Sequence, residues 1–82
     1  MGKAGKSLKQ VLETYDISQN RLAIAMGIRA ANVNRWVNEV RDPGAETLLE
    51  IRNGLRKIDR AASDEFIRLY LADSEVADSE DE

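Results

Sequence analysis

Three asparagines and two arginines lie within ten residues of this chain, from Arg29 to Asn38. Arginine carries a planar fork of N–H donors, and asparagine sets a donor beside an acceptor. Groups of this kind bind by matching charge and hydrogen bonds, and neither is a nucleophile or a proton carrier near neutral pH. Ala31, Asn34, Arg35 and Asn38 recur at i, i+3, i+4 and i+7, so on a helix they share one face, while Val33, Trp36 and Val37 point the other way. The segment therefore offers a polar recognition face, with an apolar back on which to seat it. Trp36, three residues after Val33, is expected in the core.

The rest of the composition narrows the chemistry. Cysteine is absent, so no disulfide and no cysteine zinc site is available, and the absence of histidine removes the usual metal ligand and general base. No cofactor, no metal and no enzyme activity is expected. A chain of 82 residues, 43% apolar and 33% charged, makes one small domain and has no apolar run long enough to span a bilayer. Its start, "MGKAGKSLKQ", lacks the apolar core of a secretory signal, which leads to the expectation of a cytoplasmic protein.

The net charge of −3 hides a division. Residues 1–60 carry 11 Lys and Arg against 7 Asp and Glu, whereas residues 61–82 carry 1 against 8. A basic body with an acidic tail suits an anionic partner better than the whole-chain balance suggests, because a phosphate backbone meets the local field of one face.

Several elements must hold the polar face in place. Leu8, Val11, Leu12 and Tyr15 keep helical spacing after Ser7, a candidate N-cap, with residues 1–6 expected to be a flexible N-terminus. A second helix starts after the Ser18 cap, buries Leu22, Ala23 and Met26, and stops at Gly27, which can take positive φ. Ile28 leads the third helix. "NEVRDPG" reads as a loop, Leu48, Ile51, Leu55 and Ile58 mark a fourth helix, and Ala62, Phe66, Leu69 and Tyr70 a fifth, capped by Asp59 or Ser63. Phe66, Leu69 and Tyr70 serve either the core or an edge for a dimer. Residues 73–82 are too acidic and too poor in apolar side chains to repay the entropy of ordering, and are expected to be a disordered tail. The fold class expected is all-α: a compact five-helix domain over residues 7–72.

Two helices crossing steeply at a glycine need a small residue at the crossing and apolar plugs on both sides. Leu22, Ala23, Met26, Gly27, Ile28, Val33 and Trp36 meet those needs, with the spacing of a helix-turn-helix. The stretch "SQNRLAIAMGIRAANVNRWVNEVRDPGAETLLEI" resembles the Cro/C1-type (XRE family) repressors in its Ser-Gln, Leu-Ala, Gly-Ile, Val-x-Arg-Trp-x-Asn, Arg-x-Pro and Thr-Leu pairs, and the resemblance covers residues 7–58. It implies a lambda-repressor-like fold and binding to double-stranded DNA, with the third helix as the recognition helix. It also implies phosphate contacts at Gln19 and Asn38 and a base-reading stripe at Ala30, Ala31, Asn34 and Arg35. Arg29, Asn32 and Arg41 join the expected phosphate contacts.

The chain departs from the family at four places. Glu39 stands where the family has glycine, so Glu39 or Asn38 must turn left-handed at the helix end. Arg29 replaces a capping Ser or Thr, losing the cap and adding a cation. Ala30 and Ala31 replace polar readers; alanine reaches only a thymine methyl, which shifts direct readout to Asn34 and Arg35. Ile24 puts an apolar side chain outside the second helix, either as a partner contact or as a scattered exposed residue.

The function expected is a sequence-specific transcriptional regulator, a repressor on an operator, working as a homodimer on a palindromic site. The alternative is a protein-interaction module, such as the antitoxin of a toxin–antitoxin pair or a transcription adaptor, with a protein partner. Ile24, Glu39 and the acidic tail favour the alternative.

The division of charge generates a prediction about the tail. Tethered carboxylates near a basic surface compete with phosphates for the same cations at high effective concentration. Removing residues 73–82 takes away six carboxylates and moves the formal charge from −3 to +3. Affinity for duplex DNA at low salt is expected to rise by a similar factor on specific and unrelated sequences, and the gain to shrink as salt is added. Anisotropy across a salt series measures this. Unchanged affinity at the lowest salt would reduce the tail to a solubiliser, and lost binding would make it part of the fold.

Overall fold

The apolar stripes become five helices in the computed structural model of the chain, which describes the backbone of residues 3–81 and the side chains of residues 4–72. They are α1 (Lys3–Thr14), α2 (Gln19–Met26), α3 (Ala30–Val37), α4 (Ala45–Ile58) and α5 (Arg60–Asp81), with no strand among the described residues. The all-α, five-helix expectation is met.

One core serves all five. α1 contributes Ala4, Leu8, Val11 and Leu12, α2 Leu22 and Ala23, α3 Val33, Trp36 and Val37, α4 Ile51 and Leu55, and α5 Ala62 and Phe66. Phe66, Leu8, Leu22, Ile51 and Leu55 are fully enclosed, each contributing about 1.5–3 kcal/mol through removal of apolar surface from water. α5 packs on α1 and α4, α2 on α3 and α4, and α1 also on α3. The helix bearing the polar face is thus held from two sides, by α1 and α2. Leu69 and Tyr70 are half-buried, Leu69 against the core.

The N-terminal boundary differs from the sequence reading. Ser7 does not cap α1: the helix starts at Lys3, and Ser7 lies inside it, buried. The extra turn is held by tertiary packing. Ala4 continues the buried stripe one turn before Leu8, and Gly5 is buried against α3, where a Cβ would overlap the Trp36 carbonyl oxygen. Residues 3–6, expected to be flexible, therefore belong to the helix.

Of the two caps proposed for α5, Asp59 is the one used. Its carboxylate accepts from the Ala61 N–H at 3.0 Å, whereas Ser63 is buried. The α5 backbone continues to Asp81, through the stretch expected to lack regular structure. The side chains of that acidic stretch lie outside the described residues.

The first three helices end in the same way. Each places one residue in the left-handed region, Asp16 at φ 55°, Gly27 at φ 74° and Glu39 at φ 61°. In each, the next residue's N–H returns to a carbonyl five residues earlier: Ile17 to Leu12 at 2.8 Å, Ile28 to Ala23 at 3.0 Å, and Val40 to Arg35 at 2.9 Å. Glu39, not Asn38, takes the left-handed turn at the end of α3. A side chain with a Cβ costs up to about 1–2 kcal/mol in that conformation, less for aspartate, so the Glu39 turn is the most strained and only the one between α2 and α3 carries glycine.

Glu39 and Gly5 face each other, and removing a Cβ at the first or adding one at the second should act in opposite directions. Glu39→Gly is expected to raise the free energy of unfolding by about 1 kcal/mol, through relief of the left-handed turn. Gly5→Ala is expected to lower it by about 1–3 kcal/mol, although alanine is the better helix former, because backbone must move to admit the methyl group. Urea denaturation of the full chain, followed by the fluorescence of its single tryptophan, measures both. A fall for the first or a rise for the second would contradict the packing described.

Candidate nucleic-acid interface

Local chemistry sets where the polar face begins. The Ser18 hydroxyl accepts from the Arg21 N–H at 3.0 Å, capping α2 and fixing Gln19 as its first residue. Seven residues later Met26 ends the helix, and the left-handed Gly27 turns the chain. Lys57, in the last turn of α4, donates from Nζ to the Ala25 carbonyl at 3.2 Å, placing a cation at the C-terminal end of α2. The α2–α3 pair is thereby fixed by its own turn and from outside.

Ile28 does not lead α3 as its sequence position suggested. Its N–H closes the turn onto Ala23, so the helix starts at Ala30 with Arg29 in the N-cap position and no side-chain hydrogen bond there. The loss of the Ser or Thr cap is thus visible in the structure. Val33, Trp36 and Val37 are buried, and Ala31, Asn34, Arg35 and Asn38 are exposed, the division expected from their spacing. Ala30, expected in the base-reading stripe, is half-buried and packs against the core.

By the 100° step of the helix, Ala31 and Arg35 occupy the middle of the exposed face, Asn34 and Asn38 lie towards one flank, and Asn32 on the other. On the first flank a chain of side-chain hydrogen bonds crosses to α2. Asn38 Nδ2 donates to Asn34 Oδ1 at 3.1 Å, and Asn34 Nδ2 donates to Gln19 Oε1 at 3.2 Å. Gln19 and Asn38, the two phosphate contacts the resemblance implied, also line one groove of about 340 Å³, together with Lys9, Glu13 and Asp16. On the second flank, Asn32 and Arg41 line a groove of about 410 Å³ between α3 and the start of α4, beside Trp36 and Thr47. Arg35 Nη1 donates to Asn32 Oδ1 at 3.3 Å, an i, i+3 pair that lays the guanidinium along the helix surface. Arg29 is exposed at the N-terminal end of α3.

The expected contacts thus divide into two groups either side of α3, with Ala31 and Arg35 between them. Sequence reading missed two residues and one bond. Lys9 is nine residues before the Ser18 cap and joins the groove only through the packing of α1. Lys57 is 32 residues from Ala25. The Asn34–Gln19 bond spans 15 residues, with no local pattern to signal it. Ile24 is 71% exposed, as expected for an outward position on α2, and Val40 is 74% exposed just beyond the Glu39 turn.

No described helix is long and apolar enough to cross a membrane. No curated protein and no solved structure matches the chain. The family model of the Cro/C1-type HTH DNA-binding domain matches residues 7–53, which take in α2, the Gly27 turn, α3 and most of α4. With more than half of its length matched and its helix pair closed at Gly27, the chain belongs to the Cro/C1-type helix-turn-helix family of DNA-binding domains.

Proposed function

We propose that this protein is a cytoplasmic, sequence-specific transcriptional repressor that occupies an operator by laying α3 in the major groove of double-stranded DNA. The observation that carries the reading is the arrangement about α3. An exposed strip of Ala31 and Arg35 is flanked on one side by Gln19 and Asn38 and on the other by Asn32 and Arg41. Contacts to the two phosphate strands fix the docking, and the strip between them faces the base edges.

Within that arrangement Gln19, Asn38, Asn32, Arg29 and Arg41 are the backbone contacts. Arg35, with one Nη1 hydrogen on Asn32, keeps N–H donors free for a guanine edge, and Ala31, with the half-buried Ala30 behind it, meets thymine methyls. One such module reaches few base pairs, so two copies act as a homodimer on a palindrome, with half-sites about 34 Å apart. Glu39 lies at the end of α3, where its carboxylate repels phosphate and counts against this reading.

A second reading has its own observation. Ile24 at 71% and Val40 at 74% exposure are apolar side chains that a DNA-only surface does not need, and they suit a protein partner such as a toxin or a transcription adaptor. Selection of binding sites from random duplex DNA with the full chain separates the two. An enriched palindrome supports the repressor, and no enrichment supports the protein-interaction module.

On the enriched duplex, Arg35→Ala is expected to weaken binding by about 1–3 kcal/mol and to relax preference at one base position, because a bidentate contact to guanine carries information that phosphate contacts lack. Gln19→Ala is expected to weaken all sequences alike. Anisotropy on the selected and on unrelated duplexes measures both. Equal losses on the two duplexes for Arg35→Ala would remove it from the base-reading strip.

A further inference from the structure

We infer that Asn34 is a positioning residue: it ties Gln19 on α2 to Asn38 at the end of α3, turning both amides so that their N–H groups face a phosphate, and it reads no base. This rests on the DNA-binding reading above and departs from the base-reading role that the resemblance implied for Asn34.

The bridging position of Asn34 carries the inference, because whichever way the three amides are turned the outer two each keep an N–H to offer. Donors run one way along the chain, from Asn38 Nδ2 to Asn34 Oδ1 at 3.1 Å and from Asn34 Nδ2 to Gln19 Oε1 at 3.2 Å. A phosphate oxygen only accepts, so a side-chain amide helps to bind it only when the NH₂ end faces outward. With its Oε1 held by Asn34, Gln19 is left with the Nε2 donors to offer. With one Nδ2 hydrogen given to Asn34, Asn38 keeps the other.

The same bonds oppose base reading by Asn34. Bidentate recognition of adenine needs the carbonyl oxygen and the NH₂ of one amide together, and both ends of Asn34 are already engaged, one on α2 and one on its own helix. Position on the wheel agrees. Asn34 lies on the flank towards α2, whereas Ala31 and Arg35 hold the middle of the exposed face. One turn before it stands Ala30, which has no polar group for Gln19, so the acceptor of Gln19 is met by the residue at i+4 instead.

The test uses the full chain, its Asn34→Ala and Gln19→Ala variants and the double variant, with site selection from random duplexes and anisotropy on the selected and an unrelated duplex. Asn34 is exposed on a helix surface, so Asn34→Ala keeps the fold, which thermal melts followed by circular dichroism verify. Expected is an unchanged base-preference profile, with affinity lower by roughly two- to ten-fold on both duplexes. The double variant is expected to lose less than the product of the single losses, because Asn34 acts partly through Gln19. Loss of an adenine preference at one position in Asn34→Ala, or losses that simply multiply, overturns the positioning role while leaving DNA binding intact. If the unmodified chain enriches no duplex at all, the DNA-binding reading falls and this role falls with it.

Discussion

The left-handed turn at Gly27 governs where every candidate contact lies. Its two return bonds, Gly27 N–H to the Ile24 carbonyl at 3.1 Å and Ile28 N–H to the Ala23 carbonyl at 3.0 Å, end α2 after eight residues and send the chain off at a fixed angle. Leu22, Ala23, Val33 and Trp36 then meet in the core, and their burial holds the two helices together. Were the turn looser, Gln19 at the first position of α2 would not come within hydrogen-bonding distance of Asn34 on α3. The amide chain across the two helices is a consequence of that angle.

Packing by the other helices turns a local hairpin into a rigid platform. α1 supports α3 through the close approach of Gly5 to the Trp36 carbonyl, and α4 supports α2 through Gly54 beneath Leu22 and Met26 and through Lys57 at the Ala25 carbonyl. α5 completes the core with Phe66. The left-handed turns at Asp16 and Glu39 are tolerated because the burial around them outweighs a cost of at most about 1–2 kcal/mol each, the smaller at aspartate.

Features governed by nearest neighbours were legible in the sequence. Ser18 announced the start of α2 and Gly27 its end, since capping and positive φ depend on a few adjacent residues. Trp36 was placed in the core by its spacing from Val33, and the exposed face of α3 by the same periodicity. The start of α1 was not legible, because Ser7 has the chemistry of a cap and only the contact of Ala4 and Gly5 with the rest of the fold shows that the helix precedes it. The choice between Asn38 and Glu39 at the end of α3, and between Asp59 and Ser63 before α5, depended on backbone geometry that composition does not specify. Asn34 illustrates the limit most clearly: its residue type suits base reading, and its partners, one of them 15 residues away, suit a different task.

An amide chemical-shift titration of the full chain with a duplex tests most directly the claim that α3 and its two flanks form the DNA-facing surface. The account predicts that the largest shifts gather at Gln19, Ala31, Asn32, Arg35, Asn38 and Arg41, with the buried stripe of α5 about Phe66 nearly silent. Shifts centred instead on Ile24 and Val40, or spread evenly over the chain with none concentrated on α3, would contradict it.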